Sequence, residues 1–332
     1  MLTLVIITIA VAIIYDFLNG MNDAGNSIAT IVATNVLPPK LAVAWAAFFN
    51  FLAIAVLGTH VAATIGKGVI VPEIIKGDYI FILCSLLGAG TWVLVCGLNG
   101  IPNSVSHALI GGLIGPALIK GGAAAIFFSG IFKIVIFIIL APLFGFIIGY
   151  FFMVLTLLIW GRKPPLKIDR YFRVLQLASS AAFSLGHGGN DAQKTMGIIM
   201  MLLIGTGYLP ADTSSPPFWI IIICYTAIAL GTLLGSRKIV KTLGSGLTHL
   251  KPIGGFCAET AGALTLFAVT LAGIPVSTTH TITGAIMGVG VTKRASAVKW
   301  KLAGNIVVAW IITIPCTMAL SAMVYYLIHL FA

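Results

Sequence analysis

Charged residues are scarce in this 332-residue chain, where Asp, Glu, Lys and Arg make up 8% of the sequence. A soluble globular domain carries about 25% charged residues, so this composition excludes an ordinary soluble fold. Hydrophobic residues reach 59%, and the mean hydropathy is +1.11. Because lipid offers no water to the backbone, a membrane-spanning chain must form helices or a closed barrel. Long apolar runs without strict alternation predict helices.

Acidic residues are rarer still, with 8 Asp and Glu against 19 Lys and Arg. In a soluble protein the net charge of +11 would suggest nucleic acid. Here the cations lie in three loops between apolar runs, at residues 162–173, 237–251 and 293–301. The positive-inside rule predicts that these loops are cytoplasmic, and no nucleic-acid partner is expected. Residues 206–218 contain no Lys or Arg and are expected outside. The five cysteines lie in apolar segments, which argues against a disulfide framework.

Apolar runs predict long spans at residues 2–19, 41–59, 79–98, 123–142 and 143–161 in the first half, and at 174–187, 195–209, 217–235, 255–273 and 303–330 in the second. Two stretches, 102–118 and 276–291, follow a proline and fall short of the roughly 20 residues that a crossing needs. We predict that they are re-entrant or broken helices that line a cavity. The predicted fold is an all-α integral membrane protein of about 10–12 membrane helices or re-entrant segments.

Two polar motifs each occur twice, in the same order. Residues 20–27 (GMNDAGNS) return as 188–195 (GGNDAQKT), and residues 100–107 (GIPNSVSH) return as 273–280 (GIPVSTTH). Duplicated polar motifs in hydrophobic sequence are typical of secondary transporters built from two inverted repeats. The predicted organisation is a first transmembrane repeat at 1–161, a short basic cytoplasmic connector at 162–173 and a second repeat at 174–332. Together they are expected to form one membrane domain.

Buried carboxylates are candidates for function, because each costs about 2.5–3.5 kcal/mol at the centre of a membrane helix. Asp23 and Asp191 lie in the duplicated motif beside asparagines, and the glycines around them predict a break in each helix. Carboxylate, amide and freed carbonyl oxygens suit a hard cation such as sodium. The predicted sodium ligands are Asn22, Asp23, Asn26, Asn190, Asp191 and Glu259. A proton relay through the same aspartates stays open, as does a packing role for Asp16 and Glu259.

Hydroxyl-rich sequence follows the proline of each second motif and precedes a glycine-rich helix, which is the composition of an N-cap. Free backbone N–H groups, hydroxyls and the positive end of the helix dipole together favour an anion. The predicted phosphate-binding residues are Ser104, Val105, Ser106, Gln193, Lys194, Thr195, Ser277, Thr278 and Thr279. Lys194 could contact the anion directly or pair with Asp191, and the sequence leaves both open.

The histidines that end the second motifs, His107 and His280, are expected to support their helices through hydrogen bonds. An intramembrane metallohydrolase that used them with the aspartates is a competing hypothesis, but no HExxH-type pattern accompanies them. We predict no catalytic residue, no cofactor and no enzymatic activity. A passive channel is a further alternative, although paired carboxylates beside anion sites suit coupled binding better.

These motifs resemble those of the inorganic phosphate transporter (PiT) family of sodium- or proton-coupled symporters. The resemblance rests on residues 20–23 (GMND), 189–192 (GNDA), 256–259 (FCAE) and 274–280 (IPVSTTH), and it extends over nearly the whole chain. It implies an all-α fold of about a dozen membrane segments in inverted repeats, and oxyanion import driven by cations. It also implies that the two Asn-Asp pairs and residues 277–279 line the ion and substrate sites, and that Glu259 is functionally important.

The sequence therefore predicts a multi-pass protein of the plasma (inner) membrane that imports inorganic phosphate by sodium symport through alternating access. Sodium is expected as a co-transported ligand, and the expected partners of the protein are inorganic phosphate, sodium and membrane lipid. Proton-coupled phosphate symport and sulfate permeation are the alternatives, and a homodimer is left open.

Overall fold

The computed structural model describes residues 1–235, 237–244 and 246–331. Helices make up 82% of these residues, and no strand occurs among them. The first half contains α1 (Leu2–Ala33), α2 (Pro39–Leu52), α3 (His60–Gly68), the short α4 (Pro72–Ile75), α5 (Phe81–Asn99), α6 (Val105–Gly121) and α7 (Phe128–Trp160). The second half contains α8 (Pro165–Gly205), α9 (Phe218–Leu233), α10 (Arg237–Gly244), α11 (Pro252–Leu271), α12 (Thr278–Val291) and α13 (Trp300–Phe331).

The same order of helix types occurs in both halves. A long helix that carries the Asn-Asp motif comes first, as α1 and α8. A bent pair follows: α2 and α3 meet at 84°, and α9 and α10 meet at 81°. Two shorter helices and a final long helix complete each half. The all-α membrane fold is thereby confirmed, and residues 165–173 of the predicted connector are the first turns of α8.

The predicted breaks in the helices at the Asn-Asp motifs are wrong, because α1 and α8 continue through them. Their glycines serve close packing instead. A side chain at Gly20 would overlap the backbone of Ile228 on α9, and one at Gly188 would overlap the backbone of Asn50 on α2. The glycines thus flatten one face of each long helix so that the bent pair of the other half packs directly against it.

Two predicted pairs of spans are also wrong, because each pair belongs to one helix. The runs at 123–142 and 143–161 fall largely in α7, which has Pro142 in its interior, and those at 174–187 and 195–209 fall largely in α8. The span predicted at 303–330 is confirmed, since it lies within the single helix α13, which contains Pro315. Proline is tolerated inside a membrane helix when neighbouring helices pack against the local distortion. Around Pro142 the neighbour is Gly284 on α12, whose missing side chain makes room for the Pro142 carbonyl.

Helices α5 and α6 form a first hairpin, and α11 and α12 form a second. The base of the first hairpin is closed by Lys120 Nζ and Asp78 Oδ2, 2.7 Å apart. At the base of the second, Lys293 Nζ donates to the His249 carbonyl at 3.0 Å. Both ends of each hairpin lie together, and the two tips meet inside the bundle, where Lys194 Nζ contacts Ser106 Oγ of the first and the Val276 carbonyl of the second. This arrangement agrees with the re-entrant segments predicted at residues 102–118 and 276–291.

The two hairpins enter from opposite ends of the bundle. The first has its base near the end of α8, where Gly77 N–H donates to the Gly205 carbonyl at 3.2 Å. The base of the second lies near the start of α8, and a cavity of about 550 Å³ there is lined by Lys163, His249, Lys251 and Lys293. The three basic loops therefore share one end of the molecule, and the loop after Gly205 lies at the other.

Within the described residues, six helices are long and apolar enough to span a membrane, or eight segments if each bent pair is one span. The remaining two long elements are α8, which is polar at its centre, and α12, which has 14 residues. These ten segments agree with the lower limit of the predicted number.

Candidate substrate and ion site

The two Asn-Asp motifs, far apart in sequence, meet at the centre of the molecule. The Thr278 hydroxyl lies 3.3 Å from Asp23 Oδ2 and 3.3 Å from Asp191 Oδ2, so it bridges the two carboxylates. Asp23 and Asp191 are 3% and 1% exposed. The long helices α1 and α8 supply the acids, and the tip of the second hairpin supplies the hydroxyl. The structure thus places two carboxylates and an anion-type N-cap within one buried cluster.

The side-chain oxygen atoms of the first motif accept few hydrogen bonds. Asp23 Oδ1 accepts the Asn22 side-chain amide at 3.0 Å and the Thr279 hydroxyl at 3.4 Å. Asn26 Nδ2 donates to Thr279 Oγ1 at 2.9 Å and to Thr278 Oγ1 at 3.2 Å. No donor among the described residues reaches the amide oxygens of Asn22 and Asn26. A carboxylate beside two free amide oxygens is a donor set that suits a hard cation.

The second motif holds a cation of its own, the ammonium of Lys194. Its Nζ lies 2.5 Å from Asp191 Oδ1, 2.5 Å from Ser106 Oγ and 2.6 Å from the Val276 carbonyl. Asn190 is also engaged, since Nδ2 donates to Thr270 Oγ1 at 2.9 Å and Oδ1 accepts the Val276 N–H at 3.3 Å. Lys194 therefore pairs with Asp191 and also ties α8 to both hairpin tips.

The hairpin tips direct two helix N-termini at this cluster. Ser104 Oγ accepts the His107 N–H at 3.2 Å, and Ser277 Oγ accepts the His280 N–H at 3.4 Å, so both serines are N-caps as predicted. The preceding N–H groups belong to the first turn, which an α-helix leaves without intrahelical partners. These are the amides of Val105 and Ser106 on α6 and of Thr278 and Thr279 on α12. Two positive helix ends therefore meet near two carboxylates.

His187 also lies at the site, although no sequence motif indicated it. His187 Nε2 lies 3.3 Å from Asp191 Oδ2, and Nδ1 lies 3.0 Å from Asn50 Oδ1. Ligand atoms of Asp23, His187 and Asp191 all lie within 4.8 Å of one another, so the three could hold a metal ion. The sequence feature that could have indicated this role is the position of His187, one helical turn before Asp191 on the same helix face.

The two histidines that end the second motifs have a packing role in place of the predicted hydrogen bonds, since their ring nitrogens have no hydrogen-bond partner among the described residues. The rings of His107 and His280 meet edge to face with centroids 4.5 Å apart, and His280 stacks on Trp310 of α13 at 3.6 Å. They join the two hairpins just behind their tips. Their rings contact each other, whereas the histidine grouped with the aspartates is His187.

Two predicted substrate residues lie beside the central cluster and contact other elements. The Gln193 amide accepts the Val61 N–H at 2.8 Å and donates to the Gly58 carbonyl at 2.5 Å, so it caps α3 at the bend after α2. Thr195 faces Asp16, a fully buried carboxylate of α1. The sequence spacing did not reveal these contacts, because they depend on how α1, α3 and α8 pack.

Glu259 occupies a separate polar pocket. Its carboxylate accepts the Thr30 hydroxyl at 2.5 Å, the Ser179 hydroxyl at 2.6 Å and the Gln176 amide at 3.1 Å. Thr30 follows Asp23 by two turns of α1, which is about 10 Å along the helix. Arg173 at the start of α8 reaches the Asn35 carbonyl just beyond α1, so this direction leads toward the basic end. The predicted sodium ligands are therefore divided between two places.

A multi-pass helical bundle with two re-entrant hairpins, half-helix termini and carboxylates at one buried centre is the architecture of a secondary transporter. The chain belongs to the phosphate transporter family, whose sequence profile matches residues 19–168 and 160–321. It is 54% identical over 324 residues to a "Probable low-affinity inorganic phosphate transporter" of Rhizobium meliloti (strain 1021), covering 98% of this chain and 96% of that protein.

Two further proteins are similar over their full length. A protein of Bacillus subtilis (strain 168) with the same description is 38% identical, over 99% of this chain and 98% of its own. A solved structure described as "The sodium-dependent phosphate transporter" superposes with a TM-score of 0.88 at 25% identity, and covers 99% of this chain and 100% of that one. The chain is therefore a phosphate transporter with the PiT fold, as the sequence motifs predicted.

Proposed function

We propose that this chain imports inorganic phosphate together with sodium, by alternating access to the central cluster. The observation that carries the proposal is the meeting of two helix N-termini with two Asn-Asp motifs in one buried place. The N-termini favour the anion through free N–H groups and their dipoles. The carboxylates would repel that anion unless cations stand between them, so phosphate and cation bind well only together.

The roles follow from the free groups of each element. Phosphate is bound by the first-turn amides of Val105, Ser106, Thr278 and Thr279, and by the threonine hydroxyls. Sodium is bound by Asp23 with the amide oxygens of Asn22 and Asn26, which have no donor among the described residues. Glu259 offers a second carboxylate, on the route from this centre toward the basic end.

The opposed hairpins supply a physical basis for alternating access. The first hairpin has its base at the end where Gly205 lies, and the second has its base among the basic loops. Withdrawal of either tip would open the centre toward that hairpin's own side. By the positive-inside rule, the basic end lies on the cytoplasmic side of the inner membrane. The base of the first hairpin is then on the outer side, and the base of the second is on the cytoplasmic side.

Radiolabelled phosphate uptake into proteoliposomes tests this proposal, with an inward sodium gradient compared with an equal potassium gradient at fixed pH. We expect uptake with sodium that exceeds the potassium value at least tenfold, and no competition from excess sulfate. Equal uptake in both, with a response to an imposed pH gradient, would replace sodium with protons as the driving ion. Inhibition by sulfate that matches unlabelled phosphate would contradict the substrate assignment.

A divalent cation is the second candidate for the accompanying ion, because Asp23, His187 and Asp191 bring three ligand atoms within 4.8 Å. Imidazole and two carboxylates are a common ligand set for transition metals. If a divalent cation accompanies phosphate, uptake in sodium-free buffer rises when micromolar Mn²⁺ is added and falls with EDTA. A His187→Gln variant should lose that response and keep any sodium-driven uptake.

A further inference from the structure

The two copies of the Asn-Asp motif differ at four of eight positions, and one of these differences introduces a charge: Asn26 in the first copy corresponds to Lys194 in the second. Their side chains reach equivalent places. Asn26 Nδ2 donates to Thr279 Oγ1 of the second hairpin at 2.9 Å, and Lys194 Nζ donates to Ser106 Oγ of the first hairpin at 2.5 Å. Thr279 and Ser106 hold the same position in GIPVSTTH and GIPNSVSH. The lysine therefore stands where the repeat would otherwise place an asparagine amide.

The oxygen atoms around these two side chains differ in their donors. In the first copy, the buried amide oxygens of Asn22 and Asn26 meet no donor among the described residues, and Asp23 receives only neutral donors, the Asn22 amide at 3.0 Å and threonine hydroxyls at 3.3 and 3.4 Å. In the second copy, Asp191 receives the Lys194 ammonium at 2.5 Å and Asn190 Oδ1 receives a backbone N–H. The first copy thus presents oxygens to a cation, whereas the second already contains one.

The length of lysine explains how it can replace a bound cation. An oxygen ligand holds a hard cation of the size of Ca²⁺ at about 2.3–2.6 Å, and sodium is similar in radius. In asparagine the ligand oxygen is the δ atom, so the cation would stand one such distance beyond it. In lysine the ammonium nitrogen lies two bonds beyond the δ carbon. The charge therefore falls in nearly the same place, next to the carboxylate three residues earlier.

We propose that the Lys194 ammonium is a resident cation that takes the place of one co-transported ion, so that the centre holds a single exchangeable cation, bound by Asn22, Asp23 and Asn26. This inference rests on the proposed function of the same site. It differs from a direct phosphate contact by Lys194, because the ammonium hydrogens are directed at Asp191, Ser106 and the Val276 carbonyl.

Charge balance gives the inference its consequence for coupling. The centre contains two carboxylates, Asp23 and Asp191, and one fixed ammonium. One mobile cation at the first motif makes this group neutral before phosphate binds. With a neutral oxygen ligand at position 194, the same group requires two mobile cations. Each transported phosphate should then be accompanied by one more positive charge than in the natural protein.

Two uncharged variants separate the roles of position 194. Lys194→Asn restores the first motif's residue and provides an oxygen ligand, whereas Lys194→Met removes the charge and provides none. Purified proteins are reconstituted, and the membrane potential at which net phosphate flux vanishes is measured at fixed sodium, pH and phosphate gradients. This reversal potential reports the charge moved per phosphate, whichever cation is coupled.

We expect Lys194→Asn to transport at raised sodium, with about one additional charge per phosphate and a Hill coefficient for the cation that rises by about one. Lys194→Met should lose most uptake, and raised sodium should not restore it. An unchanged reversal potential in Lys194→Asn would overturn the inference. So would equal losses in both variants with no response to sodium, since that result assigns Lys194 to phosphate contact.

A failure of the proposed function would look different. If the natural protein takes up no phosphate under any cation gradient, the transport assignment fails before position 194 is tested. If a variant is inactive, cation binding to the detergent-solubilised protein is measured by ²²Na⁺ scintillation proximity after its monodispersity is confirmed. Lys194→Asn should then bind about one more sodium per chain than the natural protein, and equal binding would contradict the inference.

Discussion

The first and second copies of the Asn-Asp motif occupy matching places on α1 and α8, and each reaches across to the hairpin of the other half. They differ in charge. Asp23 is surrounded by amides and hydroxyls, whereas Asp191 forms an ion pair with Lys194 at 2.5 Å. A duplicated fold can therefore keep its geometry while its two sites diverge electrostatically. The difference implies that equivalent substitutions in the two copies have different consequences.

The largest effect is expected from Asp191→Asn, because it leaves the Lys194 ammonium buried without its counter-charge. Removing one partner of a buried ion pair costs about 3–5 kcal/mol, so this variant should lose phosphate uptake and also unfold at a clearly lower temperature. Uptake in proteoliposomes and thermal unfolding in detergent check the two parts. Normal uptake would contradict the role of Asp191, and an unchanged unfolding temperature would contradict the ion pair.

Asp23→Asn should abolish uptake to a similar degree but destabilise the protein far less. Asp23 loses only hydrogen bonds from Asn22 and the threonine hydroxyls, worth about 1 kcal/mol each. The comparison with Asp191→Asn in the same unfolding assay isolates the contribution of Lys194. Equal losses of stability in both variants would show that the two copies do not differ as described.

Glu259→Gln should have an intermediate effect, since Glu259 lies in its own pocket with Thr30, Gln176 and Ser179. Glutamine keeps the size of the side chain but removes the charge that a second cation would need. We expect the sodium concentration for half-maximal uptake to rise about tenfold, which corresponds to 1.4 kcal/mol, with phosphate binding largely retained. Sodium titration of uptake provides the measurement, and an unaltered titration would assign Glu259 to packing.

The smallest expected effect is a difference in acid sensitivity between the bases of the two hairpins, because the base of the first contains the carboxylate of Asp78. Burial alone would raise the pKa of Asp78, but hydrogen bonds from Lys120 and Tyr325 outweigh it and hold the pKa below its usual value. Because the pKa of Asp78 is lower in the folded state, its carboxylate stabilises the fold at pH values above the unfolded pKa of about 3.9. This stabilisation is lost as the pH falls through the folded-state pKa. The first hairpin base should therefore loosen in acid below about pH 4.

Hydrogen exchange at low pH checks this contrast between the hairpin bases. Amides near residues 78–82 should lose protection below pH 4, whereas the second base, where Lys293 binds a carbonyl, should change little. Asp78→Asn should exchange faster at neutral pH and show no further acid step. An acid step that persists in this variant would assign the sensitivity to another group.

The sequence predicted the features that depend on composition and short motifs. Apolar runs identified most membrane helices, and Pro-Asn-Ser and Pro-Val-Ser correctly located the N-caps at Ser104 and Ser277. Motif duplication also indicated that the Asn-Asp pairs act together, and Thr278 does bridge their carboxylates. These features are local, or they follow directly from the symmetry of the repeats.

Features that depend on packing between distant helices were not predictable in the same way. The glycines beside Asp23 and Asp191 suggested helix breaks, yet they serve close contacts with α9 and α2. The boundary predicted between residues 142 and 143 does not occur, because α7 continues through Pro142 against Gly284. His187 and Gln193 acquire their roles only when α8 packs against α2 and α3. In each case the residue type is compatible with two structural roles, and the helix that packs against it determines which one it has.

The central claim is that phosphate binds between the two hairpin N-termini only when a cation occupies the first motif. Anomalous diffraction from crystals grown with arsenate, a tetrahedral analogue of phosphate, tests it most directly. We expect a peak within hydrogen-bonding distance of the Thr278 and Thr279 amides in sodium, and a much weaker one when potassium replaces sodium. A peak elsewhere, or one of equal height in both salts, would contradict the account.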